Sequence, residues 1–232
     1  MQQSDQTFSE GKVLLFDKPL RWTSFDLVRK VRNLIKIKKV GHAGTLDPLA
    51  TGLLIVCTGK FTKKINEYMG MEKEYTGTFT LGSTTATFDL ESEPRNFISL
   101  ENITEQQIFD ATKNFIGDIL QMPPQHSAIK KDGKRLYESA RQGIEVKVDA
   151  RPVTIKEFII TKVELPLLHF KVVCTTGTYI RSLANDFGAA LHVGAHLSSL
   201  CRSRIGVFEL KDAISITAFE EEVKRLQQEE NS

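Results

Sequence analysis

The chain has 232 residues, 41% hydrophobic and 26% charged, enough for one large domain or two small ones and ordinary for a water-soluble globular protein. Its longest apolar run falls far short of the ~20 residues a membrane helix needs, and Met1-Gln2-Gln3-Ser4-Asp5 lacks a charged and then hydrophobic leader, so no membrane association and a cytoplasmic location are expected. A net charge of +2 says little by itself about a nucleic-acid partner.

Lys12 to Phe16 reads as a buried strand ending at Asp17-Lys18-Pro19, after which Thr23-Ser24 supplies an N-cap for a helix with Phe25, Val28, Val31 and Leu34 recurring along it. Leu53 to Cys57 reads as a strand, and Phe61 to Met69 carries a short helical pattern. Lys73 to Leu81 alternates, with Tyr75, Gly77, Phe79 and Leu81 on one side and Thr76, Thr78 and Thr80 on the other. A capping box at Thr104 and Gln107 opens a second helix through Ile108, Ala111, Phe115 and Ile116, stopping at Gly117. Strands at Val153 to Leu165 and Leu168 to Thr175, a helix from Tyr179 to Leu191 and a terminal helix opened by Thr217-x-x-Glu220 follow. Helices and strands mix without regular βαβ spacing or an internal repeat, which favours an α+β fold.

Cys57, Cys174 and Cys201 are odd in number and far apart, so neither a disulfide framework nor a zinc motif is implied, and buried, reduced thiols are expected. His192 and His196 stand four apart and could share a helix face, but no third ligand accompanies them, and no metal is expected. Positive charge is clustered: Lys36, Lys38 and Lys39; Lys60, Lys63 and Lys64; Lys130, Lys131, Lys134 and Arg135; Arg202 and Arg204. Such groups suit RNA phosphates, the plain alternative being a solvated lysine face. Acidic residues collect instead between Glu220 and Glu230.

The stretch Gly41-His42-Ala43-Gly44-Thr45-Leu46-Asp47-Pro48-Leu49-Ala50-Thr51-Gly52 fixes a single carboxylate in a glycine-punctuated loop. Pro48 biases Asp47 towards extended φ/ψ, and the glycines allow tight turns and close approach to a ligand, so Asp47 is a candidate nucleophile. Local chemistry alone favours the plainer reading, an Asp-Pro turn with glycines that serve the backbone.

This stretch resembles the signature of the TruB type of tRNA pseudouridine synthase. The resemblance continues through Lys73-Glu74-Tyr75, Met122-Pro123-Pro124, Ser127-Ala128-Ile129-Lys130, Gly133-Lys134-Arg135-Leu136-Tyr137, Ala150-Arg151-Pro152-Val153 and Gly177-Thr178-Tyr179-Ile180-Arg181, covering the chain from about Lys12 to Gly206. It implies a mixed, largely antiparallel central sheet with flanking helices, in a catalytic domain over residues 11–210 between a flexible 1–10 and a short helical tail at 211–232.

The reaction of that family breaks the bond from ribose C1′ to N1 of uracil, rotates the base and joins C1′ to C5. Reactant and product are isomers, so no cofactor is expected. The resemblance assigns catalysis to Asp47, with Arg181 opposite it as an ion-pair partner that would lower its pKa, and to Tyr75, packed against the uracil with a hydroxyl able to carry a proton. His42 would occupy space in the RNA when the base flips out, and Tyr179, Leu200 and Lys18 would belong to the uridine site. Lys60, Lys63, Lys64, Lys130, Lys131 and Arg202 would contact RNA. The implied substrate is the T-loop uridine of tRNA numbered 55, recognised through the T arm by a monomer with no obligatory protein partner.

Two departures stand out: Ala86 replaces the acid that many relatives carry between two threonines, and one charged helix follows Gly206 where many relatives continue into an RNA-binding domain. Both would weaken RNA contact. The rivals are the guide-RNA-dependent dyskerin type, which shares the aspartate signature, and an RNA-folding chaperone that binds tRNA without chemistry. A nucleotide-binding loop at Thr58-Gly59-Lys60 fails because Phe61 replaces its Ser/Thr.

Overall fold

Leu53 to Cys57 offer no charged or strongly polar side chain to either face, and the strand they form, β3 (Ala50–Thr58), is buried on both. The computed structural model describes residues 8–125, 127, 130–131, 134–135, 146 and 148–229, with the backbone alone at 130, 131, 134 and 135. Over these residues the fold is mixed α+β, in two units: residues up to Tyr75 together with those from Leu200 onward, and Thr76–Ser199.

In the first unit β3 runs antiparallel to β1 (Val13–Lys18), with Leu15 opposite Ile55, and antiparallel to β2 (Val40–His42), with His42 opposite Val56. The edge that takes β2 also runs parallel, at the start of β3, to the end of β10 (Ala195–Ile205), where Arg202 faces Gly52. β12 (Ile214–Ser215) pairs parallel with β1, and β11 (Phe208–Glu209) turns back on β10. Leu54 and Val56 of β3 pack with Phe16, Leu27, Val31, Phe219 and Val223, under α1 (Ser24–Ile35) and α5 (Ile216–Glu229). Leu53, Ile55 and Cys57 point the other way, to Tyr68 of α2 (Ile65–Gly70) and Ile205.

The second unit continues β4 (Lys73–Leu81) from Thr76 and orders its strands β4, β9 (Leu167–Cys174), β8 (Arg151–Glu164), β5 (Gly117–Gln121), with β8 antiparallel to both β9 and β5. Phe79 and Phe158 from this sheet meet Phe187 of α4 (Ile180–Ala190), and Phe79 and Phe170 lie 4.2 Å apart between ring centroids. The helix α3 (Glu105–Thr112) buries Ile108. A small ladder joins β6 (Lys130–Lys131) to β7 (Lys134–Arg135).

The capping boxes at Thr23 with Asp26 and Thr104 with Gln107 are formed. The apolar stripe of α1 is rotated from the expected one: Leu27, Val28, Val31 and Ile35 are buried, while Phe25 is 57% exposed. The second helix ends at Thr112 rather than Gly117, because a 3-10 turn at Lys113–Phe115 and the positive φ of Gly117, +96°, lead into β5. The last helix starts from Ser215, whose hydroxyl accepts from Ala218 N–H at 3.1 Å, not from Thr217. His192 and His196 share no helix: the first lies beyond α4 with φ +59°, the second on β10. Nothing in the sequence pattern predicts β10 itself, a strand of eleven residues. The three cysteines are unbridged, two buried and Cys201 half-buried. No helix among the described residues is long and apolar enough to cross a membrane.

Phe219 joins α5 to the sheet, its ring edge-on to Phe8 and Phe16 at centroid distances of 6.2 and 5.1 Å. Truncation leaves a cavity that the helix and sheet cannot fill. Phe219→Ala is expected to lower stability by roughly 3–5 kcal/mol, measured as a shift of the urea midpoint; an unshifted midpoint would contradict this packing.

Candidate active site

Between β2 and β3 the chain crosses a loop whose peptides are tied down one after another. Ala43 N–H donates to Ile55 O at 2.9 Å and Ala50 N–H to Asp47 O at 3.0 Å. Ser24, the first residue of α1, takes both polar groups of Leu46: its hydroxyl accepts from Leu46 N–H at 2.9 Å and lies 3.2 Å from Leu46 O. Arg21 N–H reaches Pro48 O at 2.7 Å. Asp47 sits half-buried in the middle of this run, outside any helix or strand.

Two cations lie inside the same unit. Lys18 is 0% exposed, and its ammonium donates to Pro19 O at 3.0 Å and Trp22 O at 2.5 Å. Burial pushes its pKa down to about 8, against the pull of the Asp47 carboxylate, with Arg202 lowering it further. Arg202 is 1% exposed; its Nε donates to Leu53 O at 2.8 Å, Nη2 to Gly44 O at 3.2 Å and Nη1 makes a long contact of 3.5 Å to Thr45 O. Arg202 is thus enclosed by the loop, not a surface arginine. His42, half-buried, is held below its ordinary pKa by burial, with Arg202 acting in the same direction and a hydrogen bond with the backbone of Gly44 opposing, so its imidazole is neutral near pH 7. Tyr75 is half-buried on β4 and Leu200 half-buried on β10, where its backbone pairs with Ala50 and its carbonyl accepts from Thr51 Oγ1 at 3.4 Å.

The second unit holds Tyr179 and Arg181. Gln121 brackets Tyr179, its Oε1 accepting from Tyr179 N–H at 2.7 Å and its Nε2 donating to Tyr179 O at 3.1 Å, which fixes the start of α4. Arg181 is 4% exposed, with Nη1 3.4 Å from Thr87 O and Nε 3.6 Å from Asp89 Oδ2. Asp89, buried beside it, is a partner that sequence reasoning missed: no local pattern connects residues so far apart in the chain. Ala86 is exposed between buried Thr85 and Thr87.

Lys60, Lys63 and Lys64 lie exposed on a 3-10 turn, Gly59–Lys64. The N–H of Gly59 donates to Lys39 O at 2.9 Å, which joins this turn to the exposed Lys38-Lys39 pair. Arg204 is engaged by Glu72 at 2.9 Å and Glu74 at 3.7 Å. The side chains of Lys130, Lys131, Lys134 and Arg135, and the motif residues Ala128, Ile129, Gly133, Leu136 and Tyr137, fall outside the described residues. No group of three or more His, Cys, Asp or Glu among the described residues is placed to hold a metal ion.

The buried Lys18 gives a pH dependence with a definite sign. Its folded pKa, about 8, lies below that of an unfolded lysine, ~10.4, so between these values the unfolded chain binds more protons and stability rises with pH. Relative to Lys18→Met, the wild type is expected to gain stability between about pH 8 and about pH 10 in urea unfolding; a constant difference would contradict a buried, depressed lysine.

Residues 32–180 match the family model "TruB family pseudouridylate synthase (N terminal domain)". A protein of Flavobacterium johnsoniae named tRNA pseudouridine synthase B is 54% identical over 226 residues, covering 94% of this chain and 99% of its own. One of the same name from Chlorobaculum tepidum is 48% identical over 221 residues, 93% and 92% of the two chains. Among solved structures, a chain of an H/ACA RNP bound to a substrate RNA containing 2′-deoxyuridine superposes with a TM-score of 0.74 at 25% identity, over 98% of this chain and 58% of that one. The present chain thus spans just over half the length of that solved chain, but nearly all of the length of its bacterial relatives. The matched family model and relatives about half identical along their whole length have one meaning: the chain belongs to the TruB family of pseudouridylate synthases.

Proposed function

We propose that this protein converts a uridine of tRNA to pseudouridine, and that the uridine is the one in the T loop at position 55. The observation that carries the reading is the Asp47 loop, a half-buried carboxylate on a backbone tethered from Ala43 to Ala50. Its relatives' name, tRNA pseudouridine synthase B, supports tRNA as the substrate, and the resemblance of the motifs supports the T loop.

In the reaction the C1′–N1 bond breaks, the uracil turns, and C1′ joins C5; the hydrogen leaves C5 and N1 gains one, so atoms balance without a co-reactant. Asp47 acts as the carboxylate, by attack at C1′, by attack at C6 or by taking a proton from C2′. Each route needs it ionised. Tyr75 gives the uracil an aromatic surface, worth roughly 1–3 kcal/mol per stacked base, and a hydroxyl for proton movement. Arg181 is the third catalytic group. His42 fills the space of the flipped base, for which a neutral imidazole is well suited, while Tyr179, Leu200 and Lys18 belong to the uridine site. Lys60, Lys63 and Lys64, with Lys130 and Lys131, bind the RNA backbone. The protein acts as a cytoplasmic monomer, without cofactor or obligatory partner, through a catalytic region at 11–210.

The guide-RNA-dependent type is disfavoured by similarity: the tRNA synthases are 54% and 48% identical to this chain, the H/ACA protein 25%. Purified protein incubated with unmodified tRNA and with a T-arm stem-loop is expected to give pseudouridine at the T-loop uridine. Asp47→Asn, nearly isosteric, is expected to bind tRNA as well but to lose turnover by ~1,000-fold or more. Equal conversion by both would remove Asp47 from the chemistry; tight binding with no conversion by wild type would favour the tRNA-folding chaperone.

A further inference from the structure

We infer that Arg202 is a positioning residue for Asp47 and not a contact to the RNA backbone. This rests on the reading of Asp47 as the catalytic carboxylate. The Asp47 loop leaves β2 through Gly44 and Thr45 and rejoins the sheet at Gly52 and Leu53, and Arg202 touches both ends. Its Nη atoms are turned to the carbonyls of Gly44 and Thr45, its Nε to that of Leu53, and its backbone lies in register with Gly52. One side chain therefore spans the mouth of the loop, with Asp47 between the two points it holds.

The glycines fit this clasp. Gly52 has φ +99°, and a Cβ there would stand 2.5 Å from the carbonyl oxygen of Arg202 and 2.7 Å from its nitrogen, so no side chain could replace it while the two strands stay this close. Gly44 has φ +96°, and its missing Cβ would lie 3.6 Å from Arg202 Nη1. A guanidinium is the group suited to the task. It holds several donors in one rigid plane, whereas a lysine offers a single point charge on a flexible stem. The guanidinium of Arg202 donates to backbone carbonyls at both ends of this loop, so its planar fork fixes the path of the backbone two and three residues before the carboxylate. The loop is also pinned at Leu46 by Ser24, so the backbone entering Asp47 is held at three consecutive residues, 44 and 45 by Arg202 and 46 by Ser24. Misplacement of a catalytic group by ~1 Å costs on the order of 100-fold in rate.

The experiment compares wild type, Asp47→Asn, Arg202→Met and Arg202→Lys. Three quantities are read: the single-turnover rate of pseudouridine formation at saturating enzyme, the tRNA Kd over a salt series, and the melting temperature. Arg202→Met is expected to lose ~100-fold in rate while its Kd stays within about twofold and its salt slope is unchanged. Arg202→Lys is expected to recover part of that loss. An RNA-contacting arginine would behave in the opposite way, with the rate at saturation intact and the salt slope reduced by ~0.7–0.9. That pattern, or a wild-type rate in both variants, overturns the inference. Should Arg202→Met not fold at the assay temperature, Arg202→Lys, which keeps charge and stem, carries the same rate-against-slope comparison. An inactive wild type, or an Asp47→Asn as fast as wild type, strikes instead at the catalytic reading.

Discussion

Between Ala43 and Leu53 the backbone is held from several places in the first unit: Ile55 takes the first N–H, Arg202 the carbonyls of residues 44, 45 and 53, Ser24 both groups of Leu46, Arg21 the carbonyl of Pro48. An ordinary surface loop would leave these groups to water and wander among conformers. Here the conformational entropy is surrendered when the protein folds, not when substrate arrives. The elements that supply the tethers, α1, β3 and β10, are the ones sealed by the core around Leu54, Val56 and Phe219 or by the opposite layer around Ile55 and Ile205.

The same stretch concentrates positive charge out of water. Burying a cation costs several kcal/mol unless hydrogen bonds replace its hydration, and both Lys18 and Arg202 meet that cost with backbone carbonyls. Burial holds the Lys18 pKa down to about 8, and the Asp47 carboxylate is the largest influence opposing that fall. The second unit shows the same device in another form, where Arg181 and Asp89 are buried together at 4% and 3% exposure. Lysines that remain in solvent, Lys60, Lys63 and Lys64 with Lys38 and Lys39, sit apart on turns whose backbones meet at Gly59 and Lys39. Charge in this chain is thus divided between buried groups that shape loops and exposed groups suited to phosphates.

Much of this was readable from sequence wherever the signal was local. The glycine and proline spacing around Asp47 announces a loop, the N-cap at Thr23-Ser24 and the capping box at Thr104 announce helix starts, and the alternation from Lys73 to Leu81 announces β4. What escaped was non-local. β10 carries Ser198, Ser199, Arg202, Ser203 and Arg204, a polar string without strand periodicity, and it exists because β3 offers it a parallel edge some 150 residues away in sequence. Read without that edge, Arg202 and Arg204 look like surface charge; in the fold one is enclosed by the aspartate loop and the other occupied by Glu72 and Glu74. The phase of α1 was missed for a related reason, since Phe25 fits the apolar rhythm but points away from the core that Leu27 and Ile35 fill.

The central claim is that the exact reach of one carboxylate, set by its backbone, governs the chemistry. Asp47→Glu tests it, because it keeps the charge and adds one methylene to an otherwise unchanged loop. The measurement is release of tritium from tRNA labelled at C5 of uridine, since that hydrogen must leave when C1′ joins C5, taken in a single turnover with enzyme in excess. The account predicts wild-type tRNA binding and a rate lower by ~100-fold or more. Release at close to the wild-type rate would contradict it, and would mean that the tethering of this loop serves stability alone.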